Sequence, residues 1–116
     1  MSEQTMPKFM LNICYGHNPD FRDEKDGPFI MQKYAEWSEK IRGRTVLAHK
    51  LFDGEGRTLE NQKGRLVDGP YTETKESIGG FYIIHAKDYD EAVKIANECP
   101  TLLFQGGTVE VRRVEI

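Results

Sequence analysis

Three residues from separate parts of the chain could combine to move a proton: His49, His85 and Asp68. An imidazole changes charge near neutrality, and a carboxylate that holds it completes a workable general acid/base. Asp68 also opens the densest run of turn formers and charges, which continues through Tyr71, Glu73, Lys75 and Glu76 to Gly79 and Gly80. Asp68 can hydrogen-bond its own downstream backbone, Gly69 permits a positive φ, and Pro70 fixes its own. A connection held this firmly would deliver Glu73 and Lys75 to one place, with Tyr71 as a flat apolar surface. These residues, with Gly79, Gly80 and Asn12, are the candidate ligand contacts. The plainer alternative is a rigid hairpin connection with solvated charges, since many loops only connect.

Other chemistries find no support. The chain has no phosphate-cradling glycine loop, no dinucleotide fingerprint and no His-Glu-x-x-His pattern, and its three histidines lack metal-ligand spacing. Neither a metal nor a cofactor is expected. Cys14 and Cys99 are far apart and read as small buried hydrophobes in a reducing cytoplasm. A length of 116 residues with 38% apolar and 30% charged side chains fits one domain with a modest core. The net charge of -3 leaves no electrostatic footprint for nucleic acid. No apolar run approaches bilayer length and no signal-peptide pattern opens the chain, so neither membrane nor export is expected. Residues 1–7 read as a disordered tail and 8–116 as the domain.

The elements that must position these residues follow from periodicity. Residues 8–16 alternate, with Phe9, Leu11, Ile13 and Tyr15 on one face and Met10, Asn12 and Cys14 on the other. Both faces are largely apolar, as in a central strand, and the amide of Asn12 there needs partners. Residues 17–26 form a polar loop. A helix then runs from a cap at Asp26 or Gly27, with Pro28 in its first turn and Ile30, Tyr34, Trp37 and Ile41 as its core stripe, to Gly43. A second strand over 45–52 carries His49. Residues 57–63 read as a weakly patterned connection, and 65–67 as a short strand leading into the turn-rich run. The strand over 80–86 places Phe81, Ile83 and His85 on one face and Tyr82, Ile84 and Ala86 on the other. Asp88 with Glu91 three residues on has capping-box spacing for a second helix, which Pro100 stops. A loop over 101–107 precedes a last strand over 108–116.

That order contains the βαββαβ pattern of an α+β, ferredoxin-like sandwich with one extra short strand. Two helices cover one face of such a sheet. The apolar residues of the other face then call for a partner, most simply a homodimer stacking sheet on sheet as a dimeric α+β barrel.

The run Asp68-Gly69-Pro70-Tyr71, the glycine pair and the stretch Gly107-Thr108-Val109-Glu110-Val111-Arg112 resemble the YCII-related superfamily, and within it the subgroup named for an Asp-Gly-Pro-Phe (DGPF) motif. The resemblance implies a ferredoxin-like fold that dimerises and says little about reaction. Similar proteins in the wider superfamily use a His–Asp pair beside the sheet, in one case to dehydrochlorinate a chlorinated hydroxyquinol. Their histidine comes from the first helix region, where this chain has Phe29-Ile30-Met31-Gln32-Lys33-Tyr34 and no histidine. Some members are associated with extracytoplasmic-function sigma factors, which implies a regulatory partner as a further alternative. The first expectation is therefore a small-molecule-binding dimer, with proton-transfer or lyase chemistry as the second.

Overall fold

The computed structural model describes residues 6–14, 27–52, 55–70 and 78–115. Strand β1 (Lys8–Cys14) is followed by α1 (Gly27–Lys40), β2 (Thr45–Lys50), β3 (Arg57–Gln62), β4 (Arg65–Pro70), β5 (Gly80–His85), α2 (Tyr89–Ala96) and β6 (Thr108–Val114). Four strands form one antiparallel sheet in the order β2-β5-β1-β6, and β3 pairs with β4 in a separate two-stranded sheet. Without that hairpin the order is βαββαβ, so the α+β architecture is compatible with a ferredoxin-like fold.

Alternation in β1 sorts the two faces of the sheet. Phe9, Leu11 and Ile13 are at most 1% exposed and join Ile84, Ala86, Trp37, Ile41, Ala92, Ala96 and Cys99 in one core beneath both helices. Each large side chain buried there contributes about 1.5–3 kcal/mol. The register puts Met10 opposite Ile83 and Asn12 opposite Phe81, so these residues share the helix-free face with His85. Leu47 and His49 of β2 join them, opposite Ile83 and Phe81.

Helix α1 presents Ile30 and Trp37 to the core, with Ile41 just past its end and Tyr34 packed at its margin. The Trp37 indole N–H donates to the Ile95 carbonyl at 3.2 Å, tying α1 to α2. At the start of α2, Asp88 caps as expected, its Oδ1 accepting the Glu91 N–H at 2.9 Å. The return bond reaches one residue past the cap: the Glu91 carboxylate accepts the Lys87 N–H at 2.9 Å and also takes Arg44 at 2.5 Å.

The Lys87 N–H, and then Arg44, hold the Glu91 carboxyl below the ordinary glutamate range. A carboxyl depressed in the folded state adds stability above its unfolded pKa of about 4.3 and loses it as pH falls through the folded value. Glu91→Gln, which keeps an acceptor for Lys87 but drops the charge, is therefore expected to lower the melting temperature at pH 7. At pH 3 the gap to wild type should narrow. Thermal melts at the two pH values check this; a gap that widens in acid would be the wrong sign.

The hairpin departs from the sequence reading. Residues 57–63, expected as a weakly patterned connection, contain a full strand, and the extra element is two strands instead of one. Lys63 (φ 53°) and Gly64 (φ 86°) form the two-residue turn, and Asn61 Oδ1 accepts the Gly64 N–H at 2.8 Å. Both central residues are left-handed, which matches the twist of the flanking strands. All of β3 is exposed, so no half-buried face imposes a period of two on its sequence.

Candidate functional site

A cleft of about 340 Å³ opens between α1 and the edge of the sheet. Its floor exists because small side chains stand where the sheet would otherwise fill the space: Ala48 on β2 and Gly80 on β5, with Ile13 beside them. Gly80 is also held to glycine by its neighbour strand. A Cβ there would lie 3.1 Å from the His49 carbonyl oxygen and 3.4 Å from the Lys50 Cα, tighter than ordinary packing. Its neighbour Gly79 is locked in the ladder, donating to the Ile13 carbonyl at 2.7 Å and accepting the Leu51 N–H at 2.9 Å.

Helix α1 supplies the roof through Ile30 and Tyr34, and Tyr82 supplies the inner wall. The Tyr82 ring packs edge-on against Trp37 with centroids 4.7 Å apart, and Trp37 meets Tyr34 at 6.3 Å. An aromatic wall of this kind is stiff and polarisable, suited to a flat ligand. The Tyr82 hydroxyl shares a 2.7 Å hydrogen bond with Ser38 Oγ. Burial raises its pKa, opposed by the Ser38 bond, so it stays a neutral phenol across the physiological range. Lys50 lies at the rim, where its Nζ donates to the Leu51 carbonyl at 3.2 Å. The cleft thus combines apolar walls, phenolic hydroxyls and one ammonium.

The structure distributes the sequence-derived candidates. Gly80 and His49 border the cleft. The His49 ring, though, lies 6.0 Å from that of Phe81, its cross-strand partner on the helix-free face. His85 shares that face four residues beyond Phe81, roughly 13 Å along the strand. Its Nδ1 is buried and has no hydrogen-bond partner among the described residues. Asp68 belongs to β4 rather than to a turn, and its carboxylate accepts a two-pronged contact from Arg57 across the hairpin. Asn12 is 8% exposed; its Nδ2 donates to Glu110 Oε1 at 3.3 Å, and its Oδ1 is buried without a described partner. Tyr71, Glu73 and Lys75 lie outside the described residues. Among the described residues no cluster of three or more His, Cys, Asp or Glu could hold a metal ion.

Sequence reasoning assigned Tyr34 to the core stripe and did not single out Ala48, Lys50 or Tyr82. Tyr34 does pack on the core, and its hydroxyl accepts from the Cys99 thiol at 3.8 Å, yet the same ring lines the cleft. Burial pushes the Cys99 thiol pKa up, and both cysteines are buried thiols outside any disulfide. Helical spacing alone does not tell a stripe residue over large side chains from one over Ala48 and Gly80.

The profile of the YCII-related domain matches residues 13–115. The chain belongs to the YCII-related family. This YCII-related protein is 39% identical over 104 residues to an uncharacterized protein of Rhizobium meliloti (strain 1021), covering 88% of this chain and 81% of the relative. Among solved structures it is similar to 5-chloro-2-hydroxyhydroquinone dehydrochlorinase from Burkholderia phenoliruptrix in complex with 2,5-dihydroxybenzoquinone. That likeness has a TM-score of 0.50 at 17% identity and covers 93% of each chain, a likeness of fold. No helix among the described residues is long and apolar enough to cross a membrane.

Proposed function

We propose that this YCII-related protein is a homodimer that binds a small, flat aromatic molecule carrying a polar or anionic substituent, in the cleft between α1 and the β2–β5 edge. The observation that carries the reading is the cleft itself: about 340 Å³, bounded by Ile13, Ile30, Tyr34 and Tyr82, with Lys50 at the rim. Ligand pockets of this size are mostly apolar, with few polar groups that fix orientation. Gly80, the last residue of the run that opens at Asp68, borders the cleft, and Tyr71, Glu73 and Lys75 of the same run are the further contacts of this reading. A fold neighbour was solved with 2,5-dihydroxybenzoquinone, a flat oxygenated six-membered ring that such a cleft would also suit. The pairing of two copies rests on the sheet face left open by the helices, where Leu47 is 43% exposed beside Met10, Phe81 and Ile83. Two buried thiols outside any disulfide suit a cytoplasmic setting.

Trp37 is the sole tryptophan and touches Tyr82, so its fluorescence reports on the cleft wall. Titrating hydroxybenzoates, dihydroxybenzoquinones and matched aliphatic acids should give a saturable change with the aromatic series alone. A flat response to every aromatic, or an equal response to aliphatic acids, would sink the reading.

His49 on the bordering strand favours a second reading, proton-transfer chemistry of the lyase or dehydrochlorinase kind with His49 as acid/base. His49→Ala should then cut turnover of a chlorinated hydroquinol by about 100-fold or more, the usual share of a general acid/base, and leave the melting temperature unchanged. Turnover retained in the variant removes His49 from that role.

A further inference from the structure

Two buried polar atoms on the helix-free sheet face have no hydrogen-bond partner among the described residues, Asn12 Oδ1 and His85 Nδ1. Buried polar groups are nearly always paired, and leaving one unpaired is costly. Asn12 is 8% exposed, and chemistry fixes which way its amide points. Its Nδ2 donates to Glu110 Oε1, a carboxylate oxygen that only accepts, so Oδ1 is turned away and needs a donor. An imidazole Nδ1 can carry the proton and act as that donor. The two atoms have complementary deficits.

Within one chain they do not meet. Register places Asn12 opposite Phe81 on one cross-strand row and His85 opposite Lys8 on another, with the Met10–Ile83 pair on the row between. Four residues of strand and one strand spacing separate them by about 14 Å, far beyond hydrogen-bond reach. They lie symmetrically about Met10 and Ile83, the apolar centre of the face.

We infer that the homodimer is held in register by a reciprocal contact, in which His85 of each copy donates from Nδ1 to Oδ1 of the partner's Asn12. This deepens the homodimer reading and rests on it. Symmetry selects the pairing. Asn12 against the partner's Asn12 would oppose two acceptors, and His85 against the partner's His85 would need two different tautomers in a symmetric pair. His85 against the partner's Asn12 satisfies both atoms, and a two-fold axis makes the contact twice. That axis lies between the two sheets and crosses the Met10–Ile83 pair, which then packs on its own copy.

The geometry suits stacked sheets. With strands about 4.8 Å apart and about 3.3 Å per residue along them, this overlay crosses the strands of the two sheets at about 40°, near the about 30° at which aligned sheets pack. The same overlay carries Glu110, beside Asn12, towards the partner's Lys8, beside the partner's His85, so opposite charges meet. A second copy is favoured over another protein because one chain already holds the donor, the acceptor and both charges at the spacing the axis requires.

The test mixes Asn12→Ala and His85→Ala in equal amounts and reads dimer composition by native mass spectrometry, with circular dichroism checking that both fold. Each variant alone loses both contacts and should dimerise at least about 10-fold more weakly than wild type. A mixed dimer keeps one whole contact, and in the other both members are gone. It should therefore outnumber the two parent dimers together, which random pairing would make equal to it. A mixture that pairs at random or not at all, with wild type dimeric, overturns the contact and leaves the homodimer standing. A wild type that stays single up to millimolar concentration overturns both. A second measurement needs no substitution. In wild type assembled from isotope-labelled and unlabelled chains, isotope-filtered NOEs should join the His85 ring to the side-chain amide of the partner's Asn12. A dimer without those NOEs contradicts the proposal. Neither readout involves the cleft ligand, so failure here is separate from failure of the binding reading.

Discussion

Gly107→Ala is expected to lower stability by about 2–3 kcal/mol, the cost of forcing a methyl into space that is already filled. The residue joins the 3-10 turn Pro100–Leu103 to β6, and a Cβ there would overlap the Thr101 carbonyl oxygen, with Thr101 Oγ1 at 2.9 Å. Thr101 cannot retreat easily: it is fully buried, and its hydroxyl donates to the Cys14 carbonyl at 3.4 Å. The Gly107 N–H itself donates to the Phe104 carbonyl at 3.2 Å, which fixes the approach from the other side. In a domain of this size the loss corresponds to a melting temperature lower by about 10 °C. Gly43→Ala is the control, because a Cβ at Gly43 meets nothing within 4 Å. It should stay within about 0.5 kcal/mol of wild type. Chemical denaturation of the three proteins decides the matter; equal midpoints for wild type and Gly107→Ala would mean that the turn yields.

Ala48→Phe is expected to abolish ligand binding while leaving the fold in place. Ala48 lies on the cleft floor opposite Tyr82, and a phenyl group there would occupy the space beneath Ile30 and Tyr34. Filling a cleft with an apolar side chain avoids the strain of overpacking a closed core. Loss of at least about 100-fold in affinity, or about 2.7 kcal/mol, is the expected scale, since the ligand and the phenyl compete for one volume. Calorimetric titration of wild type and variant with the same dihydroxylated aromatic measures it. Unchanged affinity with an unchanged melting temperature would place the ligand elsewhere.

The central strands β1 and β5 were legible because they are half-buried or fully buried. Phe9, Leu11 and Ile13 alternate with Met10 and Asn12 in both sequence and structure. Asp88 caps the second helix as expected, because capping is local chemistry, whereas the helix ends at Ala96 and Pro100, expected as its stop, opens the following 3-10 turn. Strand β3 was not legible, since burial is what writes alternation into a sequence and β3 has none. The Lys63-Gly64 pair was the available signal, a two-residue turn between runs of equal length. The cleft was hidden for another reason. Its decisive residues, Ala48 and Gly80, do their part by lacking side chains, and chemistry-based reading looks for groups that are present. Asp68 drew attention as a turn residue, but its carboxylate is engaged by Arg57 within the hairpin, a pairing visible only once β3 is recognised as a strand.

The location of the ligand is tested most directly by mapping amide shifts in a ¹H–¹⁵N spectrum while a dihydroxylated aromatic is titrated in. Binding in the cleft moves the amides of Ile30, Tyr34, Ala48, Lys50 and Gly80 together, and Trp37 with them, along one saturable curve. Shifts confined to Met10, Asn12, Ile83 and His85 on the helix-free face, with Ala48 and Gly80 unmoved, would contradict the cleft as the binding site.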